Sequence, residues 1–76
     1  MNHVHKLVYC RSSKRWRAYD NDDYCCPIHC GDPICIRVKD RYFQARIEMD
    51  TEWYILIEED KFRLHPKQEY DAILLF

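Results

Sequence analysis

The sequence predicts an all-β fold, a small barrel of about six short antiparallel strands. Three observations carry that expectation. The stretch Gly31 to Glu59, GDPICIRVKDRYFQARIEMDTEWYILIEE, reads as three consecutive strands joined by short polar turns. Within it, β-branched and aromatic residues recur with period two, the signal of a half-buried sheet. The chain has only 76 residues, 14% of them aromatic. That makes residues 1–76 a single domain, and one this small buries only about 60% of its unfolded surface. Closing the sheet on itself removes edges that so apolar a structure tolerates poorly. Among small barrels, the SH3-like one is the best size match.

Taken in order, His3 to Cys10 predicts a first strand, with Leu7 and Tyr9 on one face and Val8 and Cys10 on the other. Arg11-Ser12-Ser13-Lys14 is a polar turn, and Arg15 to Tyr19 returns with Trp16 and Ala18 opposed to Arg15, Arg17 and Tyr19. Asp20 to Asp23 is an acidic loop whose side chains can bond their own backbone. Tyr24 to Pro33 reads as irregular, because Pro27 and Pro33 lack backbone donors and confine it to a loop or an edge. The central meander follows: Ile34 to Val38, then Tyr42 to Met49, then Trp53 to Ile57. In its second strand Phe43, Ala45, Ile47 and Met49 should face inward, and Tyr42, Gln44, Arg46 and Glu48 outward. The third is apolar on both faces, as for a strand buried from two sides. Phe62 to Leu64 adds a short strand after a turn at Glu58 to Lys61, and His65-Pro66 breaks it. Glu69 to Phe76 closes the sheet, although Lys67 to Leu75 is also helical by propensity. With one glycine in the chain, the expected connections are type I turns in longer hairpin loops.

Net charge is −1, but residues 1–47 hold nine Lys/Arg against five Asp, and residues 48–76 hold three against eight Asp/Glu. That asymmetry predicts a dipolar surface unless pairing mixes the halves. No apolar run approaches the roughly 20 residues of a membrane span, and MNHVHKLVYC lacks the apolar core of a secretory signal. A soluble cytoplasmic protein is the expectation. Five cysteines, an odd number, without such a signal, point to reduced thiols. The apolar run Ile73 to Phe76 predicts either a tail tucked into the barrel or pairing with a second copy.

Leu7-Val8-Tyr9 with Trp16 after it, the tetrapeptide His29-Cys30-Gly31-Asp32, and Ala45-Arg46-Ile47-Glu48 followed by Trp53-Tyr54 stand in an order that resembles a small bacterial family, domain of unknown function 5348. The resemblance spans roughly residues 6–75 and rests on a hairpin, a "CGD" turn, a strand ending in "RIE" and a tryptophan-tyrosine strand. It implies an SH3-like barrel and an origin in Firmicutes, often on phage or conjugative elements. It implies no enzyme, cofactor or partner. Tyr24-Cys25-Cys26-Pro27 goes beyond the family pattern.

Four constellations could carry chemistry. Cys25, Cys26, His29 and Cys30 offer one zinc knuckle in Cys26-x-x-His29, but the second pair is poor because Cys35 runs into a strand. Buried apolar thiols are the simpler reading, so no cofactor is expected. A catalytic cysteine needs a neighbouring base, and Cys30 beside His29 does not supply one, so no enzyme is expected. Lys14, Arg15, Trp16 and Arg17, with Arg41, Tyr42 and Arg46, could form the basic, aromatic face of a single-stranded nucleic-acid binder. Against that, Trp16 alternates with arginines as a core residue does, and the chain is slightly acidic. Protein binding would use the same kind of barrel, with Tyr19, Tyr24, Tyr42 and Tyr54, more tyrosines than so small a core needs, as residues of a type common at interfaces. The acidic run Glu48 to Asp60 would suit a basic partner. The sequence therefore predicts a non-enzymatic protein-binding or regulatory module, acting on a host factor from a phage or mobile element, with nucleic-acid binding as the alternative.

Overall fold

A computed structural model describes residues 3–76. Its strands are β1 Val4–Cys10, β2 Arg15–Asp20, β3 Asp23–Pro27, β4 Pro33–Val38, β5 Arg41–Met49, β6 Trp53–Ile57, β7 Asp60–Arg63 and β8 Tyr70–Leu74. All pair antiparallel in one sheet, in the order β3-β2-β1-β8-β4-β5-β6-β7.

The alternation expected of the β1–β2 hairpin and of the meander is realised. Leu7 stands opposite Ala18 and Tyr9 opposite Trp16, so one face of the hairpin carries Leu7, Trp16 and Ala18, none with any exposed surface. On β5, Ala45 and Ile47 are buried and Arg46 is exposed. Twelve apolar residues drawn from β1, β2, β4, β5, β6, β8 and the loops form one cluster, with no buried charged or polar residue among the described residues. Each large side chain fully buried there contributes roughly 1.5–3 kcal/mol. Trp16 sits at the centre, its ring edge-on to Tyr9 at 5.5 Å and to Tyr70 at 5.7 Å.

One cluster drawn from six of the eight strands requires the sheet to curl. In a flat sheet, β2 and β6 would lie five spacings, about 24 Å, apart. Instead the Trp53 indole Nε1, at the start of β6, donates to the carbonyl of Lys14 just before β2, at 3.2 Å. Strand β8 holds the curl together. It lies between β1 and β4, with His5 opposite Ala72 and Ile36 opposite the same Ala72, and so joins the N-terminal hairpin to the meander.

Several details differ from the expectation. There are eight strands rather than about six, and β3 and β7 end the sheet unpaired with each other, so hydrogen bonding does not close it. The supposedly irregular Tyr24 to Pro27 belongs to β3. At an edge, with β2 on one side only, Pro27 removes no ladder bond that matters. The hairpin loops are shorter than expected. Asp20 pairs with Asp23, Val38 with Arg41 and Ile57 with Asp60, leaving two loop residues each. The first of each pair, Asn21, Lys39 and Glu58, takes a positive φ of 57°, 61° and 57°. Two-residue loops of this kind follow the twist of the strands closely enough to outweigh the cost of a left-handed non-glycine residue. Met49 is 47% exposed rather than inward, because the β4–β5 ladder ends at Pro33–Arg46 and no strand flanks Met49 on that side. Tyr54 and Leu56 on β6 are half-buried rather than buried.

The single glycine is needed where it stands. Between β3 and β4, Gly31 has φ 89°, and its amide donates to the Ile47 carbonyl at 2.7 Å. Asp32 locks the same turn: its carboxylate accepts the His29 amide at 2.7 Å, and its own amide donates to the His29 carbonyl at 3.1 Å. The His29-Cys30-Gly31-Asp32 motif is thus a turn that places β4 beside β5.

Candidate functional site

Of the residues expected to bind, Arg15, Arg17, Tyr19, Tyr42 and Arg46 lie on the outer face of the sheet without forming one site. Arg17 and Tyr19 share that face of β2 with Arg15, and they meet Tyr24 of β3. The Arg17 guanidinium lies 5.2 Å from the Tyr24 ring centre, and Tyr19 stands edge-on to Tyr24 at 5.7 Å. Tyr19 also holds the Arg17 guanidinium above its ordinary pKa, chiefly by hydrogen bonding. Tyr42 and Arg46 lie on β5, beyond β1, β8 and β4. That is four strand spacings, about 19 Å along the sheet. Arg41 has the opposite parity to Tyr42 and stands at the strand end, while Lys14 belongs to the β1–β2 turn, where φ is 57°.

A continuous row does connect Tyr19 to Tyr42. Lys6 is opposite Tyr19 on one side and Asp71 on the other, and Arg37 is opposite Tyr42. Asp71 accepts from Lys6 Nζ at 2.7 Å and from Arg37 at 3.3 Å. The hydrogen bond from Lys6, followed by its charge and by Arg37, holds the Asp71 carboxyl below its usual pKa, and Asp71 raises that of Lys6. Arg46 is likewise tied to Glu48 at 3.2 Å. Much of the outer face's positive charge is therefore neutralised within the chain. Sequence reasoning missed Lys6, Arg37 and Asp71 because their juxtaposition depends on β8 lying between β1 and β4.

The thiols are dispersed. All five cysteines are free, with Cys25 and Cys30 exposed. Among the described residues, no group of three or more His, Cys, Asp or Glu side chains could hold a metal ion. Burial, followed by a hydrogen bond with Cys25, pushes the Cys26 thiol up to about 11, away from the thiolate that zinc takes. His29 is occupied with Asp32 instead, its Nδ1 3.8 Å from the carboxylate. Cys10 goes the other way: hydrogen bonds from Ser12, at 3.2 Å, and from Ser13 lower its thiol to about 6. Among the described residues, no base is paired with it.

On the inner surface, packing is incomplete at one end of β4, β6 and β7. A hollow of about 400 Å³ opens there, floored by the buried Ile36, Ile55 and Leu64 and walled by Phe43, Ile57 and Tyr70. This lies within the range of ligand-sized clefts, about 300–1,000 Å³. Its lip carries Val38 at 44% exposure and Phe62 at 50%. Glu58 and Asp60, from the β6–β7 hairpin, stand on the same rim. Sequence reasoning read Phe62 as one apolar residue of a short alternating strand. The signal in the sequence was Phe62 just after the acidic turn Glu58 to Asp60.

No curated protein and no solved structure matches the chain. Residues 5–74 match the family described as Domain of unknown function (DUF5348). That match takes in nearly every element described above, from β1 to β8, and the chain belongs to this family.

Proposed function

We propose that this protein is a non-enzymatic protein-binding module whose docking surface is the hollow between β4 and β7. The observation that carries the reading is a ligand-sized apolar hollow whose lip exposes Phe62 and Val38. Large side chains held half out of a packed core at the mouth of a cleft are what interface anchors require. The outer face supports the reading less well, since Lys6, Arg37 and Arg46 are already engaged by Asp71 and Glu48. A regulatory role toward a host factor, in a phage or mobile-element setting, rests on the family resemblance alone.

Selection of random peptides displayed on phage against the folded chain tests the proposal. Peptides that bind the native chain and release from Phe62→Asp support it. Peptides indifferent to that substitution, or the absence of binders, refute it.

A second reading has one observation in its favour. Arg17, Tyr19 and Tyr24 form a basic, aromatic cluster at the β3 edge, the kind of platform on which single-stranded bases stack. Titration with an unstructured oligonucleotide at low ionic strength decides it. Binding that falls steeply with added salt would support it, and no binding would end it.

A further inference from the structure

We propose that the hollow receives an extended, basic polypeptide segment that joins the sheet as a ninth strand along β7. This rests on the reading of the hollow as the docking surface and adds the form and charge of its occupant.

The form follows from the edge. β7 is the last strand of the sheet, bonded to β6 on one side only, and all four of its residues are exposed. The Leu64 amide, just beyond β7, donates to the Trp53 carbonyl at 3.1 Å. Antiparallel alternation then directs the Lys61 and Arg63 amides away from the sheet. A strand laid alongside satisfies them, and its inward side chains fall beside Phe62, over the hollow. The other free edge, β3, ends in Pro27, which has no amide to offer.

The charge follows from which rim groups are already paired. Arg63 is held by Glu52 at 3.1 Å and Lys61 by Asp50 at 3.6 Å. Glu58 and Asp60 have no ion-pair partner among the described residues. Of the charged side chains lining the hollow, the Arg63 guanidinium is paired and the two carboxylates are not, so the charge left open to a partner is negative. The segment that fits carries a large apolar residue for the hollow, with Lys or Arg two positions away on the same face to meet Glu58 and Asp60. The apolar anchor supplies affinity, and the charges supply register and encounter rate.

The test uses the intact chain and two acetylated synthetic peptides, Thr-Lys-Thr-Phe-Thr-Lys-Thr and the same sequence with Glu for Lys. The basic peptide should bind and the acidic one should not. Each exposed pair is worth about two- to five-fold in affinity, so Glu58→Gln with Asp60→Asn should weaken the basic peptide by roughly five- to twenty-fold. Amide exchange at Lys61 and Arg63 should slow on binding. Equal binding of both peptides, or failure of the basic one to bind, overturns the proposal. So does a dimer by sedimentation that dissociates in Phe62→Asp, since a second copy would then occupy the edge. Displayed peptides that need Phe62 but ignore Glu58 and Asp60, and leave the β7 amides unprotected, would sink this inference while leaving the protein-binding reading intact. If none needs Phe62, both fall.

Discussion

The inner surface of the sheet has two halves that are built from similar residues and do different things. In one, Trp16, Ala18, Ile28, Ile34 and Ile47 pack with no exposed surface, and the buried Trp53 bonds back to the Lys14 carbonyl. In the other, Ile36, Ile55 and Leu64 are buried beneath a hollow walled by Phe43, Ile57 and Tyr70, and Phe62 and Val38 stand open at its lip. Trp16 and Trp53 pack in the first, whereas Phe43, Phe62 and Tyr70 line the second without closing it. In a chain of 76 residues, where apolar burial is scarce, the open hollow is available for binding, and the closely packed region must supply much of the stability. Substitutions should separate the two accordingly.

The largest effect belongs to the filled half. Trp16→Ala should destabilise the fold by about 3–5 kcal/mol, enough to unfold much of the protein, and denaturant titration followed by tyrosine fluorescence reads it. Trp53→Phe keeps most of the volume but loses the hydrogen bond to Lys14 that holds the curl. It should cost about 1–2 kcal/mol. A smaller loss would mean that β8 alone maintains the curvature.

Asp71→Asn probes the strand that joins the halves. Its carboxyl is titrated below the usual range by Lys6 and then Arg37, so its contribution is present above the unfolded-state pKa of about 3.9 and lost as pH falls through the lower folded value. With Lys6 and Arg37 each nearly half exposed, solvent screening reduces the pair terms, and the variant should lose about 1 kcal/mol at neutral pH. The difference from the native chain should vanish in strong acid. A loss of equal size at every pH would assign it to packing.

Phe62→Asp, in the open half, should change stability by no more than about 0.5 kcal/mol while abolishing peptide binding. A loss above that would show Phe62 to be a core residue and dissolve the contrast between the halves. Cys10 sets the lower limit, with no expected change in stability. With the Cys10 thiol lowered to about 6 and that of Cys26 raised to about 11, iodoacetamide at neutral pH should label Cys10 well before Cys26, as peptide mass mapping would show.

How much of this was legible follows the same division between local and non-local information. Alternation along Tyr42 to Met49 correctly placed Ala45 and Ile47 inward and Arg46 outward, because the sides of a strand are set by its own sequence. Met49 escaped because its burial depended on where β4 stopped. The segment Tyr24 to Pro27 read as irregular because of its proline, which an edge strand paired on one side only tolerates. The two-residue loops were missed because Asn21, Lys39 and Glu58 stand where glycine is the usual signal. The placement of β8 between β1 and β4 was invisible, since alternation identifies a strand without naming its neighbours. With it went the Lys6–Asp71–Arg37 row and the separation of Arg17 and Tyr19 from Tyr42 and Arg46. The hollow was least legible of all, because it consists of space that no residue fills.

Amide chemical shifts of the isotopically labelled chain, followed while a selected peptide is added, bear most directly on the open half. The account predicts that the shifts which move cluster at Val38, Ile57, Lys61 and Phe62, with the β1–β3 outer face unchanged. Movement centred on Arg17, Tyr19 and Tyr24, with Phe62 still, would contradict it.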